Sequence, residues 1–307
     1  MAGSSVRTLA LFAAVLAVFV VIGGLVGELV FGSWLAGLVV ALGLSLVLNA
    51  VAYFASDRIV LWSTHARIVT AAEAPRLAAA VADLAPRFGL VAPRLAIVPT
   101  ATPNAFATGR NERHAVVAAT EGILPLLNDR ELRGVLAHEL AHVRDRDVLV
   151  MTIAATLAGA ISFAAQTLIF SSMLGGTRGR GANPLVLLVA AVTAPIAAML
   201  LRLAISRSRE FRADEVGAWT LGDPEALASA LAKLETANTR RPLQVGSPSQ
   251  ASLYIVNPLR GGGLAGLFST HPPIQERIRR LRAMHADPTY RPTIRSATVG
   301  PSRPSRG

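Results

Sequence analysis

Apolar and polar positions alternate along this chain in long blocks rather than short periods. Leu9 to Phe31 is apolar apart from glycines and Glu28, and Trp34 to Phe54 is apolar again. Each run can cross the hydrocarbon core of a bilayer, for which about 20 helical residues suffice. The first is also too long for the apolar core of a signal peptide. Their close spacing predicts a helical hairpin. A third run, Val148 to Phe170, and a fourth, Pro184 to Ile205, flank a Gly-rich loop at 175–183. The expected fold class is a mainly α integral membrane protein with four transmembrane helices, joined to a polar α+β part with a small sheet.

The polar blocks carry shorter periods. Glu73-Ala74-Pro75-Arg76 opens a helix to about Phe88, with Leu77, Val81 and Leu84 on one stripe and Gly89 as a stop. Arg94 to Pro99 reads as a strand, and Asn104–Thr108 and Ala115–Ala119 read as two more around a turn at 109–112. Asn128-Asp129-Arg130-Glu131 reads as a helix-capping box, and the helix it starts is expected to run through Asp147. Asp223-Pro224-Glu225 opens a helix to about Leu234, and Ile274 to Met284 is a last helix with Ile274, Ile278 and Leu281 on one face and Arg277, Arg279, Arg280 and Arg282 around it. The division this implies is a hairpin at 1–57, a polar part at 58–147, a second hairpin at 148–205, a second polar part at 206–285 and a disordered Arg-, Pro- and Ser-rich tail at 286–307.

Composition supports the membrane reading. Charged residues make up 16% of the chain and hydrophobic ones 52%, whereas about a quarter charged is usual for a soluble domain. The formal net charge is +11, almost all from arginine, since Lys233 is the only lysine. Arg7 before the first span and the basic stretch from Arg58 after the second place both flanks on the cytoplasmic side. No phosphate loop or nucleic-acid signature accompanies that charge, so lipid is the expected partner and nucleic acid is not. The absence of cysteine removes disulfides, thiolate metal sites and cysteine nucleophiles together. Glu28 is the only acid within an expected span and lies near its end, which leaves little for a transporter to work with.

One stretch carries chemistry. His138-Glu139-Leu140-Ala141-His142 places two imidazoles one helical turn apart, where both can grip one Zn²⁺, with a glutamate beside them to act on a water that the metal polarises. Two histidines leave a tetrahedral ion short of ligands, and without cysteine a carboxylate or a third histidine must complete the set. Glu210 is the best placed. If 148–205 goes out and back, the chain returns beside the histidines, and Asp214, one turn on, can fix the tautomer of a ligand imidazole. Alone, Glu210 would read as part of a salt-bridged run with Arg207, Arg209 and Arg212. His65, His114 and His285 read as surface residues.

Three motifs in order, His138–His142, Arg209-Glu210-Phe211-Arg212-Ala213-Asp214 and His271-Pro272-Pro273-Ile274-Gln275-Glu276-Arg277-Ile278, resemble the HtpX-type membrane zinc metalloproteases, relatives of the CAAX prenyl endopeptidases. Pro103 to Ala107 resembles the strand before that family's motif helix, and the likeness covers roughly residues 5–285. It implies a zincin-like cytoplasmic domain in a multi-pass protein of the bacterial inner membrane. It also implies an endopeptidase that cuts misfolded or damaged membrane proteins in a stress response. It implies one Zn²⁺ on His138, His142 and Glu210, with Glu139 as general base and acid. His271 and Arg207 are candidate donors to the developing oxyanion. Asn104, Ala105 and Phe106 lie on a strand that could pair an extended substrate by its edge.

Overall fold

The computed structural model describes residues 32–154, 207–240, 255 and 272–287, with Ala13, Leu16 and Glu28 as isolated positions. The expected first and fourth spans, the third beyond Ala154, His271 and the tail from 288 lie outside the described residues.

Helix α1, Trp34–Ser63, starts at Ser33, whose hydroxyl accepts from the Ala36 N–H. Its first 22 residues, Trp34–Ala55, have a mean hydropathy of 2.3, and Leu35, Val39, Val40, Leu46, Val47 and Phe54 are exposed. Among the described residues this is the one helix long and apolar enough to cross a membrane. The helix does not stop at Phe54, and it runs through the expected division at 57 because no residue from Ser56 to Trp62 breaks it. At 30 residues it is about 45 Å long, more than the roughly 30 Å of a bilayer core. Its last two turns extend into the polar part, where Val60 packs on the sheet.

The sheet has the order β1-β2-β4-β3, from β1 (Arg67–Val69), β2 (Arg94–Val98), β3 (Ala105–Thr108) and β4 (Val116–Thr120). β2 and β4 are parallel, and the outer pairs are antiparallel. All five residues of β4 are buried because both faces are covered. Val117 and Ala119 join Ala105 and Ala107 toward the helices, whereas Val116, Ala118 and Phe106 pack with Val60 of α1. A strand covered on both faces reads as a continuous apolar run. The connection between β3 and β4 is longer than a tight turn. Gly109 sits at φ +140, where an added Cβ would lie 2.7 Å from the His114 carbonyl oxygen, and Asn111 caps a short 3₁₀ turn, Glu112–His114. β1 was not legible, since three residues are too few to show alternation.

Six further helices have both ends within the described residues: α2 (Pro75–Arg87), α3 (Ile123–Leu126), α4 (Asp129–Arg144), α5 (Arg207–Leu221), α6 (Pro224–Arg240) and α7 (Ile274–Ala286). α4 lies at the centre, against α2, β3, α5 and α6. Leu77, Leu84, Leu132, Leu136, Leu140, Leu227 and Leu231 are buried in this core, each burial contributing about 1.5–3 kcal/mol. The capping box that starts α4 is present in full. Asn128 accepts from the Glu131 N–H at 2.9 Å, and Glu131 accepts from the Asn128 N–H at 3.0 Å.

α4 ends at Arg144 rather than running through Asp147. Arg146 adopts φ 59, the left-handed region, which costs a non-glycine residue energy and stops helical propagation. Helical structure resumes over 147–154, where Val150, Ile153 and Ala154 are buried and Thr152 Oγ1 lies 3.2 Å from Thr108 Oγ1 of β3. The start of the third apolar run is therefore packed against the sheet.

Candidate active site

α4 and α5 bring the site together. His138 and His142 lie one turn apart on α4 with ring centroids 4.7 Å apart, and Glu210 enters from the first turn of α5. All three are buried, and one ligand atom from each lies within 4.8 Å of the others. Glu210 Oε1 is 3.4 Å from His142 Nε2, and its Oε2 is 3.7 Å from His138 Nε2. These separations are long for hydrogen bonds and suit a shared ion. Ligands about 2.0–2.1 Å from a tetrahedral metal lie about 3.4 Å from one another.

A second layer holds the imidazoles. His138 Nδ1 faces Asp214 Oδ1 at 2.9 Å, so it donates there and leaves Nε2 as the lone-pair nitrogen. Asp214 is gripped by Arg277, with Nε to Oδ2 at 2.8 Å and Nη2 to Oδ1 at 2.7 Å. On the other side Asp147 Oδ2 lies 3.7 Å from His142 Nδ1, and Arg209 Nη1 donates to Asp147 Oδ1 at 3.2 Å. At that distance Asp147 acts on His142 mainly through its charge.

The electrostatics favour a cation. Burial opposes protonation of His142, but Asp147, Glu210 and Glu139 outweigh it and raise its pKa. Burial lowers the pKa of His138, against the pull of Asp214. Asp214 is well below the usual carboxylate range because Arg277 outweighs its burial. Glu139 is pushed up to about 7, first by burial, with the Glu210 charge adding and His142 and the Ala107 N–H opposing. With Glu139 ionised, the buried carboxylates Glu139, Asp147, Glu210 and Asp214 face two buried guanidinium groups, Arg209 and Arg277. The remaining two negative charges match a divalent cation, and two imidazoles plus a carboxylate are a suitable donor set for one.

Glu139 is held against the sheet. The Ala107 N–H donates to its Oε2 at 2.9 Å. The Thr120 N–H donates to the Asn104 carbonyl, so the strand alternation turns the backbone N–H and C=O groups of Asn104, Phe106 and Thr108 toward β4 and those of Ala105 and Ala107 away from it. β3 ends the described sheet on the side of α4.

The structure thus gathers His138, Glu139, His142, Glu210 and Asp214 at one place. Arg207 is exposed at the start of α5, three residues before Glu210. Phe106 faces α1 rather than the cluster, and Asn104 uses its Oδ1 to accept from the Ile255 N–H at 2.9 Å. His65 and His285 are exposed, and His114 is half-buried with Nδ1 2.6 Å from Asn111 Oδ1. The sequence reading missed Asp147, Arg209 and Arg277. Asp147 was hidden by the assumption of one continuous helix, whereas Arg277 had left a signal. It falls on the stripe of Ile274, Ile278, Leu281 and Met284 and is fully buried there, not beside that stripe as expected.

Gly217 sets the distance between the two ligand-bearing helices. A Cβ there would lie 2.9 Å from the His138 backbone nitrogen and 3.0 Å from the Ala137 carbonyl carbon. Gly217→Ala would gain about 1 kcal/mol in helix propensity, but overpacking typically costs about 1–3 kcal/mol. The clash wins because backbone atoms cannot swing aside. The variant is expected to melt several degrees lower and to bind metal less tightly, as α5 carries Glu210 outward. An unchanged melting temperature and metal affinity would refute this account.

Residues 71–285 match the model of Peptidase family M48, a region that contains the whole cluster. A Protease HtpX homolog from Syntrophobacter fumaroxidans is 50% identical over 287 residues, covering 92% of this chain and 100% of that protein. Another, from Thermococcus kodakarensis, is 53% identical over 241 residues, covering 78% of this chain and 83% of its own. The crystal structure of Ste24p from S. mikatae overlaps 90% of this chain and 65% of its own with a TM-score of 0.46 and 16% identity, too distant a likeness to argue from. With half its positions shared along the full length of a protease, and a buried His-His-Glu cluster inside the matched region, this chain belongs to peptidase family M48 and is a metalloprotease.

Proposed function

We propose that this peptidase is a membrane-bound, zinc-dependent endopeptidase that cuts misfolded or damaged membrane proteins at the cytoplasmic face. The observation that carries the reading is the buried His138–His142–Glu210 cluster with Glu139 fixed beside it by Ala107. His138, His142 and Glu210 are the proposed ligands. When bound, zinc supplies Lewis acidity toward a water molecule and a peptide carbonyl. Glu139 takes the proton from the attacking water and returns it to the leaving amine. Asp214 keeps the His138 Nδ1 protonated and its Nε2 available, and Asp147 does the same for His142 through its charge.

The side of β3 that does not pair with β4 is the proposed seat for an extended substrate. Because Glu139 already engages the Ala107 N–H, pairing falls to the backbone groups of Ala105 and the Ala107 carbonyl. Backbone pairing reads side chains little, which suits a protease of unfolded chains. His271, directly before Pro272 and Pro273, and Arg207, exposed three residues before Glu210, keep their proposed roles as oxyanion donors. The exposed apolar length of α1 and the three other apolar runs support a multi-pass membrane protein, and Arg7 and Arg58 support a cytoplasmic site.

Full-length enzyme in detergent, stripped with a chelator, is expected to stop cleaving an unfolded membrane protein and to recover on addition of stoichiometric Zn²⁺. Cleavage that continues in the metal-free protein would sink the proposal.

A further inference from the structure

We infer that Arg277 is a positioning residue of the metal centre, aiming the His138 imidazole by gripping Asp214. This role rests on the reading of His138 as a metal ligand. Arg277 is 0% exposed, on the apolar stripe of α7. A guanidinium is retained in such a place only when its donors are matched. Here Nε and Nη2 form a parallel fork on the two oxygens of Asp214, and Nη1 donates to the Ile255 carbonyl at 3.0 Å. The Ile255 N–H is held in turn by Asn104 at the head of β3. Arg277 Nη1 also lies 3.9 Å from Glu210 Oε2, so its charge offsets two neighbouring carboxylates at once.

The fork is what gives the contact direction. A carboxylate held at one oxygen rotates about its last torsion, whereas one held at both lies in the guanidinium plane. Asp214 Oδ1, fixed that way, meets His138 Nδ1 at 2.9 Å. The sequence then reads from α7 through Asp214 of α5 to His138 of α4, three helices far apart in the chain. Arg209 stands behind Asp147 and His142 in the same order, donating from Nη1 to Asp147 Oδ1 at 3.2 Å. Arg277 Nη2 also approaches His138 Nδ1 at 3.5 Å, on the side of the ring opposite the Nε2 that a metal would use, so Arg277 acts on the ring through Asp214 and not on the substrate.

The test uses full-length Arg277→Gln, Arg277→Lys, Asp214→Asn and Arg277→Gln/Asp214→Asn, with zinc affinity by chelator competition, cobalt(II) absorption, steady-state kinetics and metal-free melting. Arg277→Gln is expected to weaken zinc binding by about 10–100-fold, the usual effect of losing an outer partner. It should shift the cobalt bands and lower kcat with little change in KM. Arg277→Lys, which keeps the charge without the fork, should recover part of the affinity. In the Asp214→Asn background the Gln substitution should cost less than threefold more, because the two residues act as one unit. The role is overturned if Arg277→Gln binds zinc within twofold of wild type, if the single losses multiply in the double variant, or if neither Arg277 variant melts cooperatively, which would make the residue a support of the whole fold. A wild-type protein that binds no zinc would instead overturn the ligand assignment on which the role rests.

Discussion

Glu139→Gln is expected to cut peptide hydrolysis by about 10²–10⁴-fold, the range for removing a general acid-base group, while zinc content stays at the wild-type level. Glutamine matches the shape of glutamate and keeps an oxygen to accept from the Ala107 N–H, so the strand and helix keep their spacing. What disappears is the group that accepts and returns a proton. Because burial disfavours the charged form of Glu139, the neutral substitute should not lower the metal-free melting temperature. The measurement is turnover of an unfolded membrane protein by purified variant, beside zinc analysis of the same sample. Cleavage at the wild-type rate would rule out Glu139 as the base.

Glu210→Ala is expected to lose zinc altogether at micromolar concentrations. Two imidazoles remain, while Asp214 and Asp147 face the Nδ1 atoms and Glu139 is engaged by the Ala107 N–H. The loss should exceed the 10–100-fold expected of an outer partner, so Asp147→Asn gives a graded comparison. Zinc content equal to wild type would mean that Glu210 is not the third ligand.

These tests bear on a site that was largely legible in the sequence. His138, Glu139 and His142 could be read because helical spacing alone puts them on one face. Glu210 and Asp214 could be read because they also share a helix face, and a hairpin expected between the two motifs would return the chain to its start. The capping box at Asn128, the α2 stripe and strands β2 to β4 were legible for the same local reason. The order of the sheet was not, since the parallel pairing of β2 with β4 depends on what the intervening chain does. The end of α4 was missed because nothing in Asp145-Arg146-Asp147 forbids a helix, and only its surroundings hold Arg146 at positive φ.

The sequence by itself determined the long apolar runs, the zinc-type spacing, the absence of thiolate ligands and the candidates for each chemical role. These are properties of neighbouring residues and of composition. Only the tertiary structure decided that Ala107 holds Glu139, that Asp147 faces His142, that Gly217 lets α5 approach α4, and that Arg277 is buried behind Asp214. Each of these joins residues from different elements, and in several the contact is made by a backbone group or by a missing side chain. An arginine on a helix reads as solvated until a buried carboxylate from another helix is brought to it, and only the packing of α4, α5 and α7 does that.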